Sequence, residues 1–433
     1  KLVELFVDKG PAGQEVRYQY FHTVGDLMAG SYFRPIREWC EAHNLLSGGH
    51  LLLEESMLAH VVLYGDIMQC FREMDAPGID ILSCYPRFMP VHSPKLASSA
   101  MELTGNERVM SEPCPIHERF TLGHEPPPGK VRGHLNMLMA GGVTDFNNYL
   151  ALNEFDQEGK VAINTYVGRV NLLLRGARTR ADVGIIYPIE SLWTRFTMEP
   201  LKVWDGLFRD PDVTGWDTIA GGSRAAVKVE QDFRNASRLM FNRRWEYSYL
   251  DSRALIDSRV EGDELVHGEL RWKVLLLPSV STLPLDAWNR LKEFMDAGGK
   301  VLAIGDLAEN SDKHFPDTEV LDIADLISGS SDNTVYLPNW TGTAVDAVLN
   351  EWIDKPVQLS DEALPLRIAH RQKKGKDIFF IYNDSELTVR TSIKLETRSK
   401  LEEWDPVSGL IVPVSAETSI ELLPYQGKVY RTR

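Results

Sequence analysis

The sequence predicts an α/β chain built in three parts: the C-terminal half of a (β/α)8 TIM-type barrel over residues 1–178, a doubly wound, Rossmann-like domain over 179–330, and a β-sandwich over 331–433. Three observations lead there. Short apolar strands alternate with amphipathic helices four times before residue 153, the pattern of parallel βα units. The alternation restarts at the buried run Ala181–Pro188. From Pro338 onward the apolar period drops to two, the signature of half-buried strands.

Taken in order, Leu2 to Val7 alternates as a strand does, and Gln14 to Asn44 reads as mostly helix, with Tyr20, Val24, Leu27, Met28, Ile36 and Trp39 in helical register. A strand-like run passes through Leu45 and Leu46 to Gly48, Gly49 and His50. Helix follows from Ser56 to Met74, with Leu58, Val61, Val62, Ile67, Met68 and Phe71 inward. Gly78–Pro86 is the next strand. Helix Pro94–Leu103 leads through a Gly-Asn turn to a strand ending at Ser111-Glu112, where Pro113 and Pro115 forbid continuation as helix or central strand. Helix Lys130–Ala140 leads into the strand Val143–Leu152, and a helix between Val161 and Ala177 closes the region. A whole eightfold barrel takes about 250 residues, so these units amount to about half of one. The expectation is an additional polypeptide segment, placed before Lys1, that completes the barrel.

The second part rests on the strands Ala181–Pro188, Arg271–Val280 and Lys300–Gly305 and on the amphipathic helix Leu283–Gly299. It holds no cysteine, which excludes a cysteine-dependent amidotransferase despite its amidotransferase-like shape. Ala220–Ser223 and Ala297–Lys300 are glycine-rich but lack a GxGxxG or GK[ST] ending, so no nucleotide site is supported. The third part reads as antiparallel strands at Lys376–Asp384, Thr391–Arg398, Ser399–Gly409 and Ser419–Arg433, an accessory sandwich.

The totals agree with a globular protein of two or three domains. Hydrophobic residues make up 43% and charged residues 25%, which excludes wholesale disorder. The leucine runs at Leu51 and Leu172 fall far short of the roughly 20 apolar residues a membrane span needs. A net charge of −15 with no basic cluster argues against nucleic acid. The four cysteines, Cys40, Cys70, Cys84 and Cys114, show no CxxC spacing and are expected to be buried thiols.

The stretches Arg17–Met28 with Ile36–Leu45, Ser98–Glu112, Leu275–Asp306 and Glu402–Gly409 resemble the α-L-rhamnosidase-like glycoside hydrolases and their barrel β-galactosidase relatives. In that family the first pair precedes a catalytic-face strand, Ser98–Glu112 is helix, turn and strand ending in Ser-Glu, and the last two are the strand–helix–strand and sandwich hairpin of the accessory domains. The resemblance implies that Glu112 ends the seventh barrel strand, Asp80 lies in the sixth and Val143 begins the eighth, with the family's strand-four carboxylate before Lys1. It also implies a carbohydrate substrate outside the cytoplasm, in a secreted or periplasmic setting.

Glycoside hydrolysis takes two carboxyl groups flanking the scissile bond, and barrel enzymes keep their chemistry at the C-terminal ends of strands. Glu112 is therefore the catalytic candidate, a general base by resemblance to rhamnosidases. Glu54 and Glu55 follow another strand end beside His50. One is expected to serve as a first-turn acid of the next helix, the other to face the site. Glu55 is taken as the second catalytic group and Glu54 as a substrate contact. His50, with Gly48 and Gly49 allowing close backbone approach, joins Asp80, Tyr85, His117, Asn147 and Asn148 as candidate sugar-hydroxyl partners. Trp193, Phe196 and Trp204 suit either a stacking wall or, better, an interdomain core. No cofactor is expected. Calcium is the cation that carboxylate-rich strand ends would take, but no DxDxDG loop is present. Two rival readings stay open: a non-catalytic carbohydrate-binding or scaffold protein on an incomplete, self-associating barrel, and a β-galactosidase-like retaining enzyme with Glu112 as nucleophile. No GxSxG elbow supports an esterase.

Overall fold

A computed structural model describes residues 1–84, 90–149, 155–198 and 223–433. The chain is mixed α/β. It opens with a 3-10 turn at Leu2–Leu5 in place of the expected strand, because only Leu5 finds a core to enter. Helices α1 (Pro11–Met28) and α2 (Arg34–Ala42) are joined by a π-helical turn. Strand β1 (Gly48–His50) follows. The single helix expected next is two, α3 (Met57–Tyr64) and α4 (Ile67–Arg72). Gly65, at φ +72°, ends the first, and the Asp66 carboxylate caps the second by accepting from Met68 and Gln69 N–H.

Next come β2 (Ala76–Ile81), α5 (His92–Leu103), β3 (Met110–Pro113), α6 (Pro128–Gly141), β4 (Asp145–Phe146) and α7 (Gln157–Leu174). The four strands form one parallel sheet in the order β1-β2-β3-β4, with Asp80 opposite Glu112. β4 is much shorter than the expected strand, and residues 150–152 of that prediction lie outside the described residues. β1 and β4 are the edges, so the sheet does not close on itself.

β5 (Arg178–Thr179) leaves this region to pair with a C-terminal strand. The second sheet is built from β6 (Val183–Ile186), with α8 (Ile189–Arg195) and α9 (Arg224–Arg243) after it, and β7 (Tyr247–Leu250). The short helix α10 (Ser252–Asp257) precedes an antiparallel sheet of β8 (Arg259–Glu261), β9 (Glu264–His267) and β10 (Leu270–Trp272), which the sequence reading had not separated. β11 (Val274–Pro278), α11 (Leu285–Asp296), β12 (Lys300–Ile304), α12 (Thr318–Ser328), β13 (Thr334–Leu337) and α13 (Gly342–Trp352) complete it. Five strands run parallel in the order β13-β12-β11-β6-β7. β6, β7 and β11 are buried at every residue, as strands covered on both faces must be. This sheet runs past residue 330, because Val335 and Leu337 pair beside Leu302 and Ile304.

The remaining strands are β14 (Val357–Leu359), β15 (Leu366–Lys373), β16 (Lys376–Asn383), β17 (Val389–Leu395), β18 (Leu401–Trp404), β19 (Ile411–Val414), β20 (Glu417–Leu422) and β21 (Gly427–Thr432). They make a three-stranded sheet, β14-β17-β20, and a six-stranded one, β19-β18-β21-β16-β15-β5. Period-two patterning decides their faces. In β16, Phe379 and Ile381 enter a small core with Ile393, Leu395 and Leu422, while Phe380 and Tyr382 face the main core. Arg132, donating to the Pro424 and Tyr425 carbonyls, and Tyr166, accepting from Gly427 N–H, fix these strands against α6 and α7.

Candidate active site

The C-terminal ends of the four-stranded sheet gather His50, Asp80, Glu112 and, just beyond β4, Asn147. The local sequence makes this gathering possible. A Cβ on Gly78 would fall 2.3 Å from the Met110 side chain and 2.8 Å from Gly49 O, so only glycine lets three strands approach there. Past β3 the prolines divert the chain. Asn147 N–H then donates to Ser111 O at 2.8 Å and Tyr149 N–H to Pro113 O at 3.2 Å, which seats the loop after β4 on β3.

Glu112 is partly exposed, its side chain at 21%. Its Oε2 accepts from Asn147 Nδ2 at 3.3 Å and stands 3.6 Å from His50 Nε2. The other ring nitrogen of His50, Nδ1, lies 2.6 Å from Leu51 O, which can only accept, so Nδ1 carries a proton. Glu54 Oε1 is 3.7 Å from the same nitrogen, and its carboxylate holds the imidazole pKa up to about 9 against the opposing effect of burial. At neutral pH an imidazolium therefore sits between Glu54 and Glu112.

Glu54 is 1% exposed, and its Oε1 accepts from Leu51 N–H at 2.8 Å and Asp80 N–H at 3.2 Å. Burial raises its pKa, with His50 pulling the other way. Glu55 is 3% exposed; burial first and the Glu54 charge second hold its pKa well above the ordinary range. Neither carboxylate acts as a first-turn acid of α3, whose N-cap is Ser56; Glu230 from α9 accepts from Met57 N–H at 2.8 Å. Glu54, rather than Glu55, is in contact with His50. Asp80 is raised by burial, relieved in part by His50 and raised again by Glu112.

The other candidates separate. His117 is buried at the head of a π-helical turn, its backbone N–H donating to Leu82 O at 3.0 Å. Asn148 is exposed beside Asn147. Tyr85 and Trp204 lie outside the described residues. Trp193 and Phe196 are core: Trp193 packs edge-on against Tyr18 and donates to Gly65 O at 2.6 Å, and Phe196 packs against Phe21. Glu118 escaped the sequence reading. It is fully buried and accepts from Ser83 Oγ and Cys84 N–H, both at 2.7 Å, holding the loop after β2. Nothing local in the sequence distinguishes it from a surface acid. Of the cysteines, Cys70 and Cys84 are buried, whereas Cys40 and Cys114 are only partly so; all four are free thiols.

Among the described residues no group of three or more His, Cys, Asp or Glu is arranged to hold a metal ion, and no helix is long and apolar enough to cross a membrane. A cavity of about 1180 Å³ is lined by Asp145 and Phe146 of β4 together with Arg175, Arg178 and Lys373. Its size does not make it the reactive site, because none of the strand-end residues Asp80, Glu112 or Asn147 borders it.

Residues 232–418 match the family model of the α-L-rhamnosidases. The chain is 21% identical to a Formosa agariphila protein described as a candidate β-glucuronidase, over 95% of this chain and 32% of that protein. A rhamnosidase from Novosphingobium sp. PP1Y superposes over 96% of this chain and 40% of its own, with a TM-score of 0.67 at 18% identity. The GH42 β-galactosidase Gan42B from G. stearothermophilus superposes over 97% of this chain and 68% of its own, at 0.60 and 12%. The chain thus spans about a third to two fifths of its rhamnosidase and glucuronidase counterparts. Over the matched span it is similar to the α-L-rhamnosidases, and its fold is shared with solved glycosidase structures. The matched span 232–418 does not include Glu54, Glu55 or Glu112.

Proposed function

We propose that this α-L-rhamnosidase-like chain is part of an extracytoplasmic glycoside hydrolase, with Glu112 as the catalytic carboxylate on its four-stranded half barrel. The observation that carries the reading is that Glu112 is a partly exposed carboxylate at the strand ends, with the His50 ring on one side and an amide donor on the other. As a general base it activates water at the sugar's anomeric carbon; as a nucleophile it attacks that carbon.

The partner acid belongs elsewhere in this reading. Glu54 and Glu55 are both almost wholly buried, so this reading puts neither beside the glycosidic bond; Glu54 positions His50 and the loop after β1. A companion segment pairing along the free edges of β1 and β4 supplies the proton donor and the rest of the barrel. The Rossmann-like sheet and the sandwich serve as accessory domains, and no cofactor is invoked. His50 and Asn147 hold Glu112 and reach sugar hydroxyls, with Asp80 beside them.

Hydrolysis of aryl α-L-rhamnosides and aryl β-galactosides by the protein and by Glu112→Gln tests this. Loss of turnover by roughly three orders of magnitude is expected for removal of a catalytic carboxylate. Unchanged turnover ends the assignment. Binding of the glycosides by an unsubstituted protein that never cleaves them favours the carbohydrate-binding reading.

A further inference from the structure

In a chain of net charge −15, two cavities gather arginines, the 1180 Å³ one described above and a smaller one. The smaller measures about 760 Å³ and lies between the C-terminal half of α9, the loop after β13 and the segment leading into β15. Arg238, Arg243, Arg244 and Arg367 line it, against the carboxylates Asp232 and Glu362. We propose that this cavity binds an acidic sugar unit of a glycan, one carrying a carboxylate or sulfate ester, apart from the strand-end carboxylates.

Four features support it. The guanidinium groups are under-compensated. Arg243 reaches Asp346 only at 3.9 Å, and Arg238 donates at 2.6 Å to the neutral Asn235 amide, with no carboxylate partner among the described residues. Arg244 pairs with Glu362 and Arg367 with Asp384, yet the buried Nε of each has no acceptor among the described residues. Arg238 and Arg243 are the accessible groups of the four, and an anionic ligand's oxygens would meet them through charge-assisted bonds.

The cavity also has an aromatic wall. Trp340 is fixed by its Nε1–H donating to Asp232 Oδ1 at 2.9 Å. Asp232 is itself held by Ser279 Oγ–H at 2.5 Å and Lys228 Nζ at 2.9 Å. An indole ring locked before binding loses little entropy on stacking a sugar face. Asn235 and Asn242 add neutral amides suited to hydroxyls. The volume is that of a pocket for a small oligosaccharide, within the roughly 300–1,000 Å³ usual for ligands. All of the lining residues fall between 232 and 367 and none belongs to the Glu112 cluster, so the proposal stands apart from the hydrolase reading.

Titration calorimetry of the whole chain tests it, using trigalacturonate, a sulfated galactan trisaccharide and neutral galactotriose. The expected result is binding of an acidic trisaccharide, weakened by salt, with galactotriose weaker by about tenfold or more. The carboxylated and sulfated arms tell which anion is preferred. Arg238→Ala/Arg243→Ala, on an accessible helix face, should lower that affinity at least about tenfold, Trp340→Ala should lower it too, and Glu112→Gln should leave it unchanged. Equal affinity for galactotriose, no binding of either acidic sugar, or indifference to the double arginine variant overturns the proposal. So does an acidic peptide or oligonucleotide of equal charge binding as tightly.

Discussion

His50 Nε2 stands 3.6 Å from Glu112 Oε2, so the ends of β1 and β3 are tied together across the intervening β2. The tie depends on a second contact, Glu54 against His50 Nδ1, and on Leu51 O, which fixes the ring. Three acids, Glu54, Asp80 and Glu112, share one imidazolium. Its charge keeps this acidic strand-end cluster compact.

That arrangement makes stability fall with alkaline pH. The folded-state pKa of His50 is about 9 against an ordinary 6.5, so the folded chain holds the proton more tightly than the unfolded one. The contribution is fully present below pH 6.5 and is lost as pH rises through about 9. His50→Asn removes this part of the decline. Thermal melting measured across that window should show a shallower slope for the variant than for the wild type. Glu54→Gln should bring the His50 pKa down, read from the imidazole proton shifts by NMR; an unmoved titration would show that Glu54 is not what holds the proton.

Much of this was legible in the sequence, and the reasons for the misses are specific. The βα alternation and the glycine and proline punctuation around Glu112 locate the strand ends, because those patterns are local. Choosing Glu54 over Glu55 was not local. Both follow the same strand, and only the turn through Leu53, at φ +60°, and the packing of α9 on α3 decide which carboxylate meets His50. The short strands Tyr247–Leu250 and Thr334–Leu337 escaped because four residues carry too little periodicity to separate strand from buried coil. The cationic cavity was invisible for another reason: Arg238 and Arg367 are 129 residues apart, and only the docking of β15 beside α9 joins them.

A single glycine sets how the first helices pack. A Cβ at Gly65 would fall 2.4 Å from Gly25 N and 2.7 Å from Phe21 O, backbone atoms of α1 that cannot swing aside. Its φ of +72° adds a second penalty for any L side chain. Gly65 O also accepts from Trp193 Nε1, which couples α8 to the same junction. Gly65→Ala should therefore destabilise the fold by more than about 3 kcal/mol, well beyond an ordinary glycine replacement. Denaturant melts of the two proteins measure it, and a loss under about 1 kcal/mol would mean that α1 moves away at little cost.

Glu190 makes stability fall with pH over a lower window. It is buried at the start of α8, where it accepts from Ser252 Oγ–H, and its Oε2 has no hydrogen-bond partner among the described residues. Burial lifts its pKa to about 8 from 4.5, with Asp66 adding to the rise and Ser252 and Arg253 opposing it. Below pH 4.5 both folded and unfolded chains hold the proton, and the group contributes no penalty. Between 4.5 and about 8 the unfolded chain ionises while the folded one does not, so stability drops as pH rises and levels off above. If the whole shift is expressed, the drop is on the order of 5 kcal/mol. Glu190→Gln keeps an acceptor for Ser252 and removes the titration. It should match the wild type near pH 4 and melt higher at pH 8, whereas His50→Asn changes the slope only above pH 6.5. Melting curves of the two variants over the full range separate the contributions, and equal wild-type and Glu190→Gln stabilities at pH 8 would show that water reaches this carboxyl.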